Sequence, residues 1–196
     1  FLGSTSDQRL IRQMRPFADQ LKKNSEIQDV SLSSSAPFMS HYTYREISDK
    51  EEKDLKVRGQ VNSIDENYFE TLGLNLIKGR KLTSKDSRKK VCLINETGVR
   101  KLKLENPIGK IIQPGNLQIV GVTKDYNVHD LNWPIRPVIL RPRNDTVAYE
   151  KNVLLVRISG KQNGEIKHGP KARRKNTCPM HKWNLPGSKI KFLMVW

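Results

Sequence analysis

The stretch Val61-Asn-Ser-Ile-Asp-Glu-Asn-Tyr-Phe-Glu-Thr-Leu-Gly-Leu-Asn-Leu-Ile-Lys-Gly-Arg80 switches its period twice. Its first residues complete an alternating run from Lys56 to Ser63, with Val57 and Val61 on one face, the pattern of a strand. Asp65 is then placed to cap a short helix that carries Tyr68, Phe69 and Leu72 as core anchors. Gly73 stops that helix, because glycine takes the left-handed conformation without steric cost. Leu74 and Leu76 continue as an extended segment to Gly79-Arg80, where Gly79 permits a turn. Mixing strands with helices in this way gives an α+β domain.

Upstream, Thr5 to Asn24 reads as a helix, since Leu10, Ile11, Met14, Phe17, Ala18 and Leu21 recur at three- and four-residue steps. Thr5-Ser-Asp-Gln8 has the form of a capping box, and Pro16 is expected to bend the helix by removing a backbone donor. Ile27 to Ser33 alternates as a strand around Val30 and Leu32. Ser33 to Lys53 is polar and irregular, a loop or a weak hairpin. Downstream, Val91 to Ile94 is a compact apolar strand, and Asn95 is placed to cap a helix that turns Val99 and Leu102 inward. Asn106-Pro107 is expected to end that helix, because the residue before proline avoids the helical region. Leu117 to Val122, Val138 to Leu140 and Asn152 to Ile158 read as strands, with a loop from Asp125 to Trp133. The segment around 40 to 115 is expected to form a second lobe.

An apolar content of 36% is enough for a packed core, while no run approaches the roughly 18 to 20 apolar residues that span a bilayer. Phe1 to Lys22 lacks the pattern of a signal peptide, and the missing initial methionine suggests a piece of a longer protein. The net charge of +16 raises a reading from another class, a basic nucleic-acid-binding module. Half of that excess lies in 161–196, where nine Lys or Arg residues face the single acid Glu165. Tyr42, Tyr44, Tyr126 and Trp133 are not interleaved with cations as a platform for bases would be.

Cys92, inside an apolar run, reads as a small buried hydrophobe, and its distance from Cys178 forms no disulfide framework. His41, His129, His168 and His181 stand at no metal-ligand spacing, so no metal is expected. Without a nucleophile elbow or a phosphate-cradling loop, neither an ATPase subunit nor a cofactor site is expected. Asp125, His129 and Asp130 share a loop, compatible with acid–base work, but a capped turn explains them as well. Asn95-Glu-Thr97 and Asn144-Asp-Thr146 fit the glycosylation sequon, a pattern too short to carry weight. No catalytic residue is expected, which leaves function to a surface.

Five stretches in order carry a family resemblance. Tyr68 to Arg80 resembles the YFxTLGxxLxxGR stretch of the MacB-like periplasmic core domain of FtsX-like ABC-transporter permeases. Val91-Cys-Leu-Ile-Asn-Glu-Thr97 is similar to its strand-to-helix step, and Asn106-Pro-Ile-Gly-Lys110 to its NPIGK turn. Ile119 to Asp125 resembles its IVGVVKD strand, and Pro134-Ile-Arg-Pro137 its PIRP segment. The resemblance implies a domain over 1–160, a mixed-sheet lobe formed by both chain ends with an inserted α/β lobe over about 38–115. It implies a place between the first and second membrane helices, on the periplasmic side of the bacterial inner membrane. The parent gene is then expected to encode one membrane helix before Phe1 and three after the domain. The implied partners are the permease's own membrane helices, a cytoplasmic ATPase that acts indirectly, and a periplasmic adaptor or lipoprotein or a cell-wall hydrolase. No nucleic acid is expected. Within the motifs, Tyr68, Phe69, Leu72, Gly73, Gly79, Arg80, Asn95, Pro107, Gly109, Asp125, Pro134 and Pro137 read as scaffold.

The resemblance also implies an amphipathic helix and another strand after Ile158. Instead, Lys161 to Trp196 is basic and follows neither period, so 161–196 is expected to be foreign to the domain. A slip of reading frame accounts for it. Joining each third base to the next two forces Met180 before His181 to give Ala, and Trp183 before Asn184 to give Glu. Thr177 and Lys182 must give apolar residues, because the codons after them begin with TG. The alternative is a genuine basic extension near lipid head groups.

Overall fold

The computed structural model describes residues 8–37, 43–128, 132–144 and 153–158, with the side chains from residue 14 on, and the backbone of 183–184 and 191–192. The strands are β1 (Ile27–Ser33), β2 (Tyr44–Asp49), β3 (Val57–Ile64), β4 (Leu76–Gly79), β5 (Val91–Asn95), β6 (Ile111–Gln113), β7 (Leu117–Thr123), β8 (Val138–Pro142) and β9 (Val153–Ile158). The helices are α1 (Gln8–Leu21), α2 (Tyr68–Leu72) and α3 (Glu96–Lys101). The short strands β10 (Trp183–Asn184) and β11 (Lys191–Phe192) pair with each other, Trp183 opposite Phe192.

Six strands close into a ring in the order β2-β6-β7-β5-β8-β3, with β2 returning to β3. Two pairings in it are parallel, β3 with β8 and β5 with β7, and the others are antiparallel. Alternation along the strands fills the ring and clothes its outside at once. Cys92, Ile94, Ile112, Ile119 and Ile139 pack inward with Ile47, and Leu102 and Leu104 follow α3 into the same cluster. Their neighbours Val91, Leu93, Val138 and Leu140 turn outward, against Tyr68 and Phe69 of α2 and Val153 and Leu155 of β9. Beyond the ring, β1 meets β3 only at Ser33 opposite Ile64, then pairs along its length with β9. The far face of that ribbon, Val30, Leu32, Leu154 and Val156, is covered by α1 through Ala18, Met14 and Leu21.

The helix expected over Thr5 to Asn24 is described as Gln8–Leu21, the strand Ile27–Ser33 stands, as does the strand–helix–strand order from Lys56 to Arg80 apart from Asp65, and the fold is α+β with a mixed sheet. Of the expected capping box, Thr5 to Asp7 lie outside the described residues and Gln8 opens α1. Within Ser33 to Lys53, expected as a loop or a weak hairpin, β2 pairs with β3 as a hairpin, closes the ring and buries Ile47 completely. Two expectations differ. Asp65 is not the cap of α2: Asn67 holds that position, without a side-chain cap bond. Pro107 does not end α3, which stops at Lys101 with Lys103 at φ 52° and Leu104 N donating to Val99 O. The strands β7 and β8, beyond 115, hydrogen-bond directly to β5 and β3. No described helix is long and apolar enough to cross a membrane.

Candidate functional site

Three of the motif segments meet where β5, β7 and the approach to β8 come together, with Asn95 at their centre. Its Oδ1 accepts from Gly98 N at 3.0 Å, the expected cap of α3, and from Val138 N at 2.8 Å. Its Nδ2 donates to Asp125 Oδ1 at 2.7 Å and to the Arg136 carbonyl at 3.0 Å. Asp125 also accepts from the Thr97 amide at 2.9 Å and the Thr97 hydroxyl at 2.6 Å, while its own N–H donates to Glu96 Oε2. Two side chains therefore bind three separated backbone segments into one clasp, and each polar atom that they bury is satisfied. Asn95 is 1% exposed with both amide hydrogens engaged, so its sequon offers no glycosylation acceptor. The carboxylate of Asp125 is held by donors in a structural role; His129 and Asp130 lie outside the described residues.

A second knot holds the Arg80 end of the deciding stretch. The Arg80 guanidinium grips Asp86 with two bonds, at 2.6 and 3.0 Å, and Asp86 also accepts from the amide and hydroxyl of Thr83. The hydrogen bond from Arg80, with those from Thr83, holds the buried Asp86 carboxyl well below the usual carboxylate range. Gly79, at φ 81°, passes so close to β7 that a Cβ would stand 2.3 Å from the Val120 carbonyl oxygen. Only glycine fits there.

The remaining motif residues are framework too. Gly73 closes α2 in the left-handed region, at φ 66°. Tyr68 and Phe69 are buried, Leu72 packs against their cluster, and Asn62 Nδ2 donates to the Tyr68 hydroxyl. Burial pushes the Tyr68 phenol up to about 12. Pro107 is buried, Gly109 turns at φ 92° with its N–H on the Ile119 carbonyl, and the Pro137 carbonyl accepts from Gln60 N. Pro134 lies on the surface.

Asp65 carries a function that its sequence position did not disclose. Its carboxylate accepts from Ser31 Oγ at 2.6 Å and Leu32 N at 2.8 Å, tying β1 to the turn before α2. Burial raises its pKa in spite of those donors. Cys92 is fully buried, which pushes its thiol up to about 12 and leaves it inert. Among the described residues no group of His, Cys, Asp and Glu could hold a metal ion. On the surface, Arg136 lies over the rings of Tyr44, at 5.5 Å, and Trp133, at 5.6 Å, and Arg58 covers Tyr44 from 5.1 Å. What the arrangement provides is a tightly tied framework with an exposed cation–aromatic ladder.

Known structures share this framework. The periplasmic region of MacB from Actinobacillus actinomycetemcomitans superposes with a TM-score of 0.54 at 21% identity, over 76% of this chain and 66% of that one. The extracellular domain of the noncanonic ABC-type transporter YknZ from Gram-positive bacteria gives 0.51 at 18% identity, over 72% and 70%. A permease-protein domain from Porphyromonas gingivalis gives 0.53 at 17% identity, over 74% and 68%. No curated protein sequence matches the chain. The sequence model of the MacB-like periplasmic core domain matches residues 4–164, most of the chain, and the chain belongs to that family.

Proposed function

We propose that this chain is the extracytoplasmic domain of an ABC-transporter permease and that it catalyses nothing. It couples ATP-driven motion of the membrane part to a substrate or to a partner such as an adaptor or lipoprotein. The observation that carries this reading is the family match over residues 4–164. The closed ring supports it, because a body tied by the Asn95–Asp125 clasp moves as a unit when its ends are displaced. The test is the full permease with its ATPase in lipid nanodiscs. Deleting this domain should leave ATP hydrolysis in place and abolish substrate export. Export that survives the deletion overturns the reading. The tail 161–196 is proposed to lie outside the natural domain, a reading supported by the end of the family match at residue 164.

A further inference from the structure

The strand ring is plugged at one end and open at the other. Leu102 and Leu104, after α3, fill the end near Asn95 and Thr123. At the opposite end β3 and β8 finish, β5 and β7 begin, and a cavity of about 600 Å³ opens. We propose that this mouth is a binding site for a phosphate ester.

Its floor is sealed, because Ile47, Ile112 and Ile139, at 1% exposure or less, close the ring beneath it. Polar side chains line the wall, among them Thr43, Ser63 and Gln113. The rim is cationic: Arg45, Arg88, Lys89, Lys90 and Arg141 all line the cavity, and no carboxylate does among the described residues. Arg141 is held in place by its Nε bond to Ser63 Oγ at 2.9 Å. Lys89 reaches Asp86 at 3.6 Å, but that carboxylate is already gripped by Arg80. The side chains of Arg88 and Lys90 have no ion pair or hydrogen bond among the described residues.

Like charges converging on one concavity repel each other, and a bound anion relieves that repulsion. A phosphate ester brings up to two negative charges and several acceptor oxygens, which suits guanidinium forks and wall hydroxyls together. The cavity lies in the range of about 300 to 1,000 Å³ typical of small-ligand sites, and barrel mouths are a recurrent place for them. A flat acidic protein surface could not follow the concavity to its floor, so the recess favours a small or headgroup-sized ligand.

The test uses the full 196-residue chain and calorimetric titration at about 0.15 M salt, where charges are screened beyond about 8 Å. The probes are inorganic phosphate, glycerol 3-phosphate, the soluble lipid dihexanoyl phosphatidic acid, and a glutamate-rich peptide as competitor. Arg88→Glu with Lys90→Glu should weaken ester binding about tenfold or more, whereas Arg173→Glu with Arg174→Glu in the tail should change it less than about twofold. Both rim residues are exposed; if the reversal fails to fold, Arg88→Gln with Lys90→Gln replaces it. Tighter binding of the lipid than of glycerol 3-phosphate identifies a lipid headgroup as the source, and equal binding a soluble ester; either result supports the site. The proposal is overturned by the absence of saturable binding, by inorganic phosphate alone binding, by equal losses from rim and tail, or by displacement of the esters by the peptide.

Discussion

Asn95 shows how much of this domain rests on single polar side chains. Replacing it with Ala strands the Val138 amide and the Arg136 carbonyl and removes the cap of α3. Asn95→Ala should therefore cost about 2 to 4 kcal/mol in urea unfolding, since buried groups lose partners that water cannot replace. Asn95→Asp keeps the acceptor but sets a second carboxylate against Asp125, so its loss should be larger at pH 7 than near pH 4. A loss independent of pH would mean that the two side chains are not in contact. The pair Arg80–Asp86 makes a separate prediction. Its depressed carboxyl contributes stability that is present above the unfolded value of about 3.9 and is lost as pH falls below it. Asp65 acts in the opposite sense: its raised pKa means that ionisation costs stability as pH rises through its titration. Arg80→Gln should thus lower stability at pH 7 by about 2 kcal/mol and flatten the acid limb of the stability curve. An acid limb as steep as that of the unaltered chain would refute the assignment.

At the scale of elements, α2 is the anchor that joins the ring to the β1–β9 ribbon. Phe69, 2% exposed, packs in a cluster drawn from the outside of the ring, from β9 and from the loop at Val128. Phe69→Ala should destabilise by about 3 to 5 kcal/mol, as a truncated core aromatic leaves a cavity that its neighbours fill only in part. Thermal melts with no shift would show that this helix face is a docking surface instead. This part of the molecule was legible in the sequence because Tyr68, Phe69 and Gly73 each have one physical use at their spacing. The strands β2 and β6 were not legible. β2 offers Ile47 as its one buried apolar residue among Tyr-Arg-Glu-Ile-Ser-Asp, and β6 has three residues, so neither alternates for long enough to be seen. Asp65 misled for a related reason. An acid before a helix reads as a cap, whereas its actual partners, Ser31 and Leu32, lie on a strand that only the tertiary fold brings near. The cationic mouth was hidden likewise, because Arg45, Arg88–Lys90 and Arg141 meet only when the ring closes, and a charge run alone reads as a solvated face.

The whole molecule poses the question of what completes the sheet. Among the described residues β9 is its last strand, hydrogen-bonded to β1 on one side, while β11, two residues of the tail, lies against β9 but pairs with β10 instead. Such an edge exposes unpaired backbone groups unless a further element covers it. The family resemblance places a helix and a strand after this point, while the chain as written continues into 161–196, a segment with nine cations and one acid. If a frame slip replaced the natural continuation, three measurements should agree. The gene's DNA, read in the neighbouring frame past residue 160, should encode an amphipathic helix, an alternating strand and then a membrane span. The chain cut after residue 160 should unfold at the same urea concentration as the chain as written, because a strongly basic, aperiodic segment cannot bury enough surface to offset its ordering entropy. The frame-corrected chain, ending before its membrane span, should be more stable than both by about 2 kcal/mol or more, since the restored helix and strand bury apolar area over β9. The three results separate the frame slip from a genuine basic extension. A genomic frame that encodes Lys161 to Trp196 as written and runs on into a membrane span would end the proposal, as would a truncation at 160 that costs several kcal/mol.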